Sequence, residues 1–103
     1  MIQRVCILGS TGSVGVNTLD VLARHPGRFE VVALSANSRL DALQAQCRQW
    51  QPRFAVLADE SRARTLRDAL RADGLRTEVL SGAHALAEVA RLAITGLETT
   101  GTA

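Results

Sequence analysis

Seven residues near the start of the chain, Gly9-Ser10-Thr11-Gly12-Ser13-Val14-Gly15, limit its possible folds more than any other feature. They follow a short β-prone run, Val5-Cys6-Ile7-Leu8. They precede a stretch in which Val14, Leu19, Val21 and Leu22 recur at helix-like spacing until His25-Pro26-Gly27 breaks it. Strand, glycine turn and helix in that order make the phosphate-binding element of dinucleotide folds. Gly9 permits a sharp exit from the strand, Gly12 lets the backbone approach a pyrophosphate with no Cβ in the way, and Gly15 lets the helix pack closely. Unpaired amides and the positive end of the helix dipole favour an anion there. The hydroxyls of Ser10, Thr11 and Ser13 can bond phosphate oxygens or serve as helix caps.

The alternation continues down the chain. Phe29-Glu30-Val31-Val32-Ala33-Leu34 reads as a second strand, nearly continuous in its apolar residues, as expected where helices cover both faces of a parallel sheet. From Leu40 to Trp50 the spacing of Leu40, Leu43 and Cys47 predicts a helix, with Asp41 in its first turn and Pro52 beyond its end. Phe54 to Leu57 is a third strand, and residues 60–72 form a third helix stopped by Asp73-Gly74. Thr77 to Leu80 is a fourth strand, after which Ser81 or Gly82 opens a helix carrying Ala85, Leu86, Val89 and Leu92. Strands alternating with helices imply right-handed crossovers, so the expected class is α/β with a doubly wound parallel sheet, a Rossmann-like dinucleotide-binding fold in incomplete form. Residues 1–92 make up this nucleotide-binding part. Residues 93–103, rich in Thr and Gly with neither periodicity, read as an irregular tail.

The end of the second strand carries the next signal. An NAD-selecting fold places an Asp or Glu there, roughly 20 residues past the glycines, to grip the ribose 2′-hydroxyl. This chain has Ser35-Ala36-Asn37-Ser38-Arg39 instead. Donors and a guanidinium suit an added 2′-phosphate, and no acid repels it, so NADPH is favoured over NADH. Arg39 stands near a helix start, where a cation is otherwise slightly unfavourable. Ser38 is a candidate both for phosphate contact and for capping the second helix.

Composition excludes several other classes. A content of 47% hydrophobic and 21% charged residues is that of a soluble globular domain with one modest core. The net charge of +2 is dispersed, as in Asp59-Glu60-Ser61-Arg62-Ala63-Arg64, and Phe29, Trp50 and Phe54 are too few to stack bases, which argues against nucleic acid. No apolar run has the roughly 20 residues of a membrane helix, and a cytoplasmic protein is expected. Cys6 and Cys47 lack the spacing of a zinc or redox pair and read as buried free thiols. His25 reads as a helix-end residue, His84 as first-turn, and Trp50 as packing. Asp20 and the pair Asp59-Glu60 suit helix surfaces and dipoles better than a metal. No catalytic residue and no metal ligand is assigned.

Ile7 to Gly15, followed by Thr18-Leu19-Asp20-Val21, resembles the opening of the 1-deoxy-D-xylulose 5-phosphate reductoisomerase family. The resemblance continues, in order, through His25-Pro26, Phe29 to Leu34, Pro52-Arg53-Phe54-Ala55-Val56 and Arg76-Thr77-Glu78-Val79-Leu80-Ser81-Gly82, and covers residues 1–91. It implies that Thr11, Gly12, Ser13 and Val14 form the phosphate-binding turn and that Asn37, Ser38 and Arg39 hold the adenosine 2′-phosphate of NADPH. The Asn-Ser-Arg form departs from the Gly-Lys-Asn of some members, with arginine supplying the charge. The family's reaction rearranges 1-deoxy-D-xylulose 5-phosphate and reduces it to 2-C-methyl-D-erythritol 4-phosphate, a precursor of isoprenoids. Its sugar-phosphate site, the ligands of its divalent cation (Mg or Mn) and its homodimer contacts fall outside the matched part. From Leu92 onward the sequence no longer resembles the family, which implies a truncated or altered end and a chain inactive by itself. A semialdehyde dehydrogenase type of NADP-dependent oxidoreductase and a non-catalytic nucleotide-binding fragment are the alternatives.

Overall fold

The computed structural model describes residues 3–92 and 98–100. Its elements alternate as β1 (Gln3–Ile7), α1 (Ser13–Ala23), β2 (Phe29–Ala36), α2 (Leu40–Trp50), β3 (Phe54–Leu57), α3 (Glu60–Ala72), β4 (Glu78–Ser81), α4 (Gly82–Leu92) and β5 (Glu98–Thr100). The five strands form one sheet in the order β4-β3-β2-β1-β5, and every pairing is parallel. The expected α/β class and its four strand–helix units are present.

The fifth strand corrects the sequence reading of an irregular 93–103 tail. Glu98, Thr99 and Thr100 pair with Val5, Cys6 and Ile7. The rest of that tail, residues 93–97 and 101–103, lies outside the described residues. Backbone hydrogen bonds to an otherwise open β1 edge can hold three residues with no apolar pattern of their own, and threonine is β-branched and suited to a strand.

Strand order explains which helix covers which face. The chain steps from β1 to β4 in one direction, then returns across the sheet to β5. Right-handed crossovers put helices on one face while the direction holds and on the other when it reverses. Accordingly Leu19 and Leu22 of α1, Leu43 and Cys47 of α2, and Ala63, Leu66 and Leu70 of α3 share one core with Val5, Ile7, Val31 and Leu57. Val89 of α4 shares the opposite core with Cys6, Val32, Ala33 and Val56. The sheet is therefore doubly wound. A bulge in β2 places Val5 against Val31 but Cys6 against Ala33, so Val32 and Ala33 both face α4.

The helices bury stripes at three- and four-residue steps, Leu43 and Cys47 in α2 and Ala63, Leu66 and Leu70 in α3. In α1 the buried face is Gly15, Leu19 and Leu22, while Val14 and Val21, read from sequence as part of the apolar face, are half exposed with Val16. Close seating of Gly15 sets which side of α1 turns inward and so rotates both valines outward. Cys6 and Cys47 are free and buried, and desolvation pushes the Cys47 thiol up to about 12, so it stays protonated. Among the described residues no helix is long and apolar enough to cross a membrane.

Candidate functional site: an anion turn at the sheet's switch point

β1 has β2 on one side and β5 on the other, and the chain reverses direction across that boundary. In open α/β sheets the crevice beyond the carboxyl ends of the strands at such a switch point is where ligands bind. The glycine turn leaves β1 here. Gly9 has φ +72°, a left-handed conformation that strains any other L residue, and the amide of Gly12 donates to the Gly9 carbonyl at 3.0 Å to close the turn.

Gly15 meets its expectation in a specific way. A Cβ there would lie 2.4 Å from the Gly9 carbonyl oxygen and 2.6 Å from the Ser10 Cα, so the helix is seated against the turn's own backbone. Gly12 differs. It is the N-cap of α1 at φ −77° and ψ 170°, extended backbone open to any residue. Its backbone conformation does not by itself call for a glycine.

No side chain caps α1. The first intrahelical bond runs from the Val16 amide to the Gly12 carbonyl at 2.9 Å, which leaves the amides of Ser13, Val14 and Gly15 as the helix's unfilled donors. Thr11 and Gly12 are partly exposed and Ser13 and Val14 are exposed, whereas Gly15 is buried against the turn, so the helix start opens to solvent as far as Val14. An uncapped N-terminus of this kind favours an anion through its free amides and the helix dipole.

Ser10 departs from the sequence reading. Its side chain is fully buried, and its hydroxyl donates to Gln46 Oε1 at 2.7 Å, with the Ser35 carbonyl at 3.3 Å. Gln46 Nε2 returns a bond to the Ser10 carbonyl at 2.8 Å. The Ser10 amide donates to the Ser35 carbonyl at 2.7 Å, and the Gly9 amide to Ser35 Oγ at 2.9 Å. Ser10 thus faces inward as an anchor of the turn, and Thr11 and Ser13 keep the outward hydroxyls. Ser35, read from sequence among the donors for a 2′-phosphate, is instead buried and holds the turn, and Gln46, which sequence reasoning missed, holds it from α2. Both act across long sequence separations through hydrogen bonds that no local pattern encodes.

Asn37, Ser38 and Arg39 follow directly from β2, all exposed, as expected. The N-cap of α2 is Arg39, with no side-chain cap, so Ser38 does not cap that helix. Ser38 uses its backbone instead, and its carbonyl accepts from the Leu40 amide at 2.9 Å and from Arg62 Nη1 at 2.8 Å. Among the described residues Arg39 has no ion-pair or hydrogen-bond partner for its guanidinium. A cation at an uncapped helix N-terminus with no counter-ion is poised to take an anionic ligand.

Asp59 lies beside this loop but is committed to α3. Its Oδ1 accepts from the Ser61 hydroxyl and from the amides of Ser61 and Arg62. The Ser61 hydroxyl first, then the Arg62 amide, hold its carboxyl below the usual range. Elsewhere His84 is exposed, 3.5 Å from Glu88, and Trp50 packs on the core. Among the described residues no three His, Cys, Asp or Glu side chains are grouped to hold a metal ion.

A 1-deoxy-D-xylulose 5-phosphate reductoisomerase from Methylobacillus flagellatus is 56% identical over 90 residues, covering 87% of this chain and 22% of that protein. One from Nitrosospira multiformis is 54% identical over 91 residues, covering 88% of this chain and 23% of that protein. The chain thus spans less than a quarter of the length of these relatives. Among solved structures, the reductoisomerase from Zymomonas mobilis in complex with NADPH superimposes with a TM-score of 0.81 at 38% identity, over 87% of this chain and 23% of that one. A DOX-P reductoisomerase in complex with NADPH, fosmidomycin and magnesium gives 0.83 at 35% identity, over 86% and 22%. The family match covers residues 5–99, past the Leu92 at which the sequence resemblance was read to stop and into β5, and it decides against the semialdehyde dehydrogenase alternative: the chain belongs to the 1-deoxy-D-xylulose 5-phosphate reductoisomerase family.

Proposed function

We propose that this chain is the NADPH-binding part of an enzyme that rearranges 1-deoxy-D-xylulose 5-phosphate and reduces it to 2-C-methyl-D-erythritol 4-phosphate, a step toward isoprenoid precursors. The observation that carries the reading is the pairing of an uncapped, solvent-open helix N-terminus at the switch point with an acid-free loop bearing an unpartnered Arg39. Backbone groups of Thr11, Gly12, Ser13 and Val14 hold the pyrophosphate, with the hydroxyls of Thr11 and Ser13 as added donors. Asn37, Ser38 and Arg39 take the adenosine 2′-phosphate, Arg39 through a charge-assisted bond. The nucleotide-binding unit begins at β1 and takes in β5, which pairs with β1.

When bound, NADPH supplies the hydride for the reduction. This chain's residues bind and orient the nucleotide, and the sugar phosphate, a divalent cation and a second subunit are partners of the whole enzyme. The described residues offer no grouped ligands for that cation, and no step is assigned to it. A cytoplasmic setting fits a phosphorylated substrate and a soluble cofactor.

Calorimetric titration of the chain with NADPH and with NADH, repeated on Arg39→Ala, tests the reading. NADPH should be preferred, and the variant should lose about tenfold or more of that preference, since a hydrogen bond to a charged group contributes about 1.5–3 kcal/mol. A folded chain that binds neither cofactor would refute it.

A further inference from the structure

We propose that Arg62 is a second cation of the 2′-phosphate site and a determinant of NADPH selection. The proposal rests on the cofactor assignment above and extends it to a residue outside the loop. A phosphate monoester carries a charge of about −1.5 to −2 at neutral pH, and the loop itself supplies one guanidinium. Arg62 brings another from the first turn of α3. Its Nη1 donates to the Ser38 carbonyl at 2.8 Å, which fixes the guanidinium against the middle residue of Asn37-Ser38-Arg39. Its side chain remains 55% exposed, so the rest of the fork is open to solvent beside the loop.

Other charges near Arg62 leave this role open. The nearest carboxylate oxygen, Asp59 Oδ2, is 3.7 Å from Arg62 Nε, longer than a hydrogen bond. The other oxygen, Oδ1, is taken up by the helix cap. A phosphate can therefore compete with Asp59 for the guanidinium without undoing either the cap or the bond to Ser38. Arg62 thus ties α3 to the loop and adds the charge that separates a 2′-phosphate from a 2′-hydroxyl.

Titration of the 103-residue chain with NADPH and NADH, with folding of each variant checked by circular dichroism, separates charge from mere fastening. Arg62→Gln, which removes the charge but keeps a donor, should weaken NADPH about tenfold and NADH less than twofold. Arg62→Lys should keep most of the preference. Asp59→Asn, which retains a capping side chain but removes the competing charge, should tighten NADPH and leave NADH unchanged. An unaltered NADPH-to-NADH ratio in Arg62→Gln, or equal weakening of both cofactors, would overturn the proposal while leaving the Arg39 assignment standing. A folded wild-type chain that binds neither cofactor would overturn both together.

Discussion

Replacing Gly15 with alanine sets two effects against each other. Within a helix alanine is favoured over glycine by about 1 kcal/mol, so in open space Gly15→Ala would stabilise the chain. Here the added methyl would sit 2.4 Å from the Gly9 carbonyl oxygen, 2.6 Å from the Ser10 Cα and 2.9 Å from the Ser10 carbonyl carbon. All three are backbone atoms, which cannot rotate aside as a side chain would. Overpacking a tight site costs about 1–3 kcal/mol, and contacts this short with backbone belong at the upper end. The net expectation is a loss of about 2 kcal/mol. At about 4–8 °C per kcal/mol for a domain of this size, the melting temperature should fall by about 8–16 °C. Thermal and urea melts followed by circular dichroism measure it, with the urea midpoint falling at unchanged slope. NADPH affinity should fall as well, because relief of the clash displaces Gly9 and Ser10. A variant as stable as wild type or more so would show that the turn and helix are not closely seated, and the account of the glycine motif would fail with it.

Two further outcomes rest on side-chain hydrogen bonds, those of Gln46 with Ser10 and those that Asp59 and Asp73 accept from Ser61 and Arg48. Gln46→Ala removes both partners of Ser10 on α2 and leaves a buried carbonyl and hydroxyl poorly satisfied, so it should destabilise the chain by about 1–3 kcal/mol. Urea denaturation checks this, and an unchanged midpoint would show that the turn is held by Ser35 alone. Asp59 and Asp73 are both held below their ordinary value of 3.8, Asp59 chiefly by the Ser61 hydroxyl and Asp73 chiefly by Arg48. A carboxylate lowered on folding contributes stability that is full above its unfolded value and is lost as the pH falls through its folded one. Stability should therefore hold near neutrality and decline on acidification from about pH 4 downward. Asp59→Asn and Asp73→Asn should each flatten that decline in urea midpoints measured across the acid range, and a decline equally steep in both variants would place its origin elsewhere.

Strand–helix alternation was legible because each element repeats its signal over several residues, as with Leu43 and Cys47 in α2 or Ala63, Leu66 and Leu70 in α3. The site was legible where chemistry and chain position coincide, in the glycine turn after β1 and the acid-free loop after β2. Features set by tertiary contacts were not. Glu98–Thr100 has no periodicity because its place is fixed by bonds to β1. The hydroxyl of Ser10 turns inward because Ser35 and Gln46 wait there, and Ser13, one turn of chain away, keeps the same chemistry facing solvent. Ser38 has an ordinary capping side chain, yet the helix begins one residue later. In sequence Arg62 is one of several dispersed charges on a solvated helix, and only its bond from the first turn of α3 to the Ser38 carbonyl distinguishes it.

The position of β5 bears on the order in which the molecule can assemble. Val5 meets Val31 on one side and Glu98 on the other. The first contact joins residues closer in sequence, whereas the second must wait until Glu98 has been added. Contacts between residues distant in sequence slow folding because loop closure must precede their reward. The glycine turn from Gly9 to Gly15 and the residues that brace it, Ser35 and Gln46, all precede α3 in sequence. During synthesis the glycine turn can therefore form while β1, with Val5, Cys6 and Ile7 along it, still has an open edge. Until β5 arrives, that edge is open to pairing with another nascent chain.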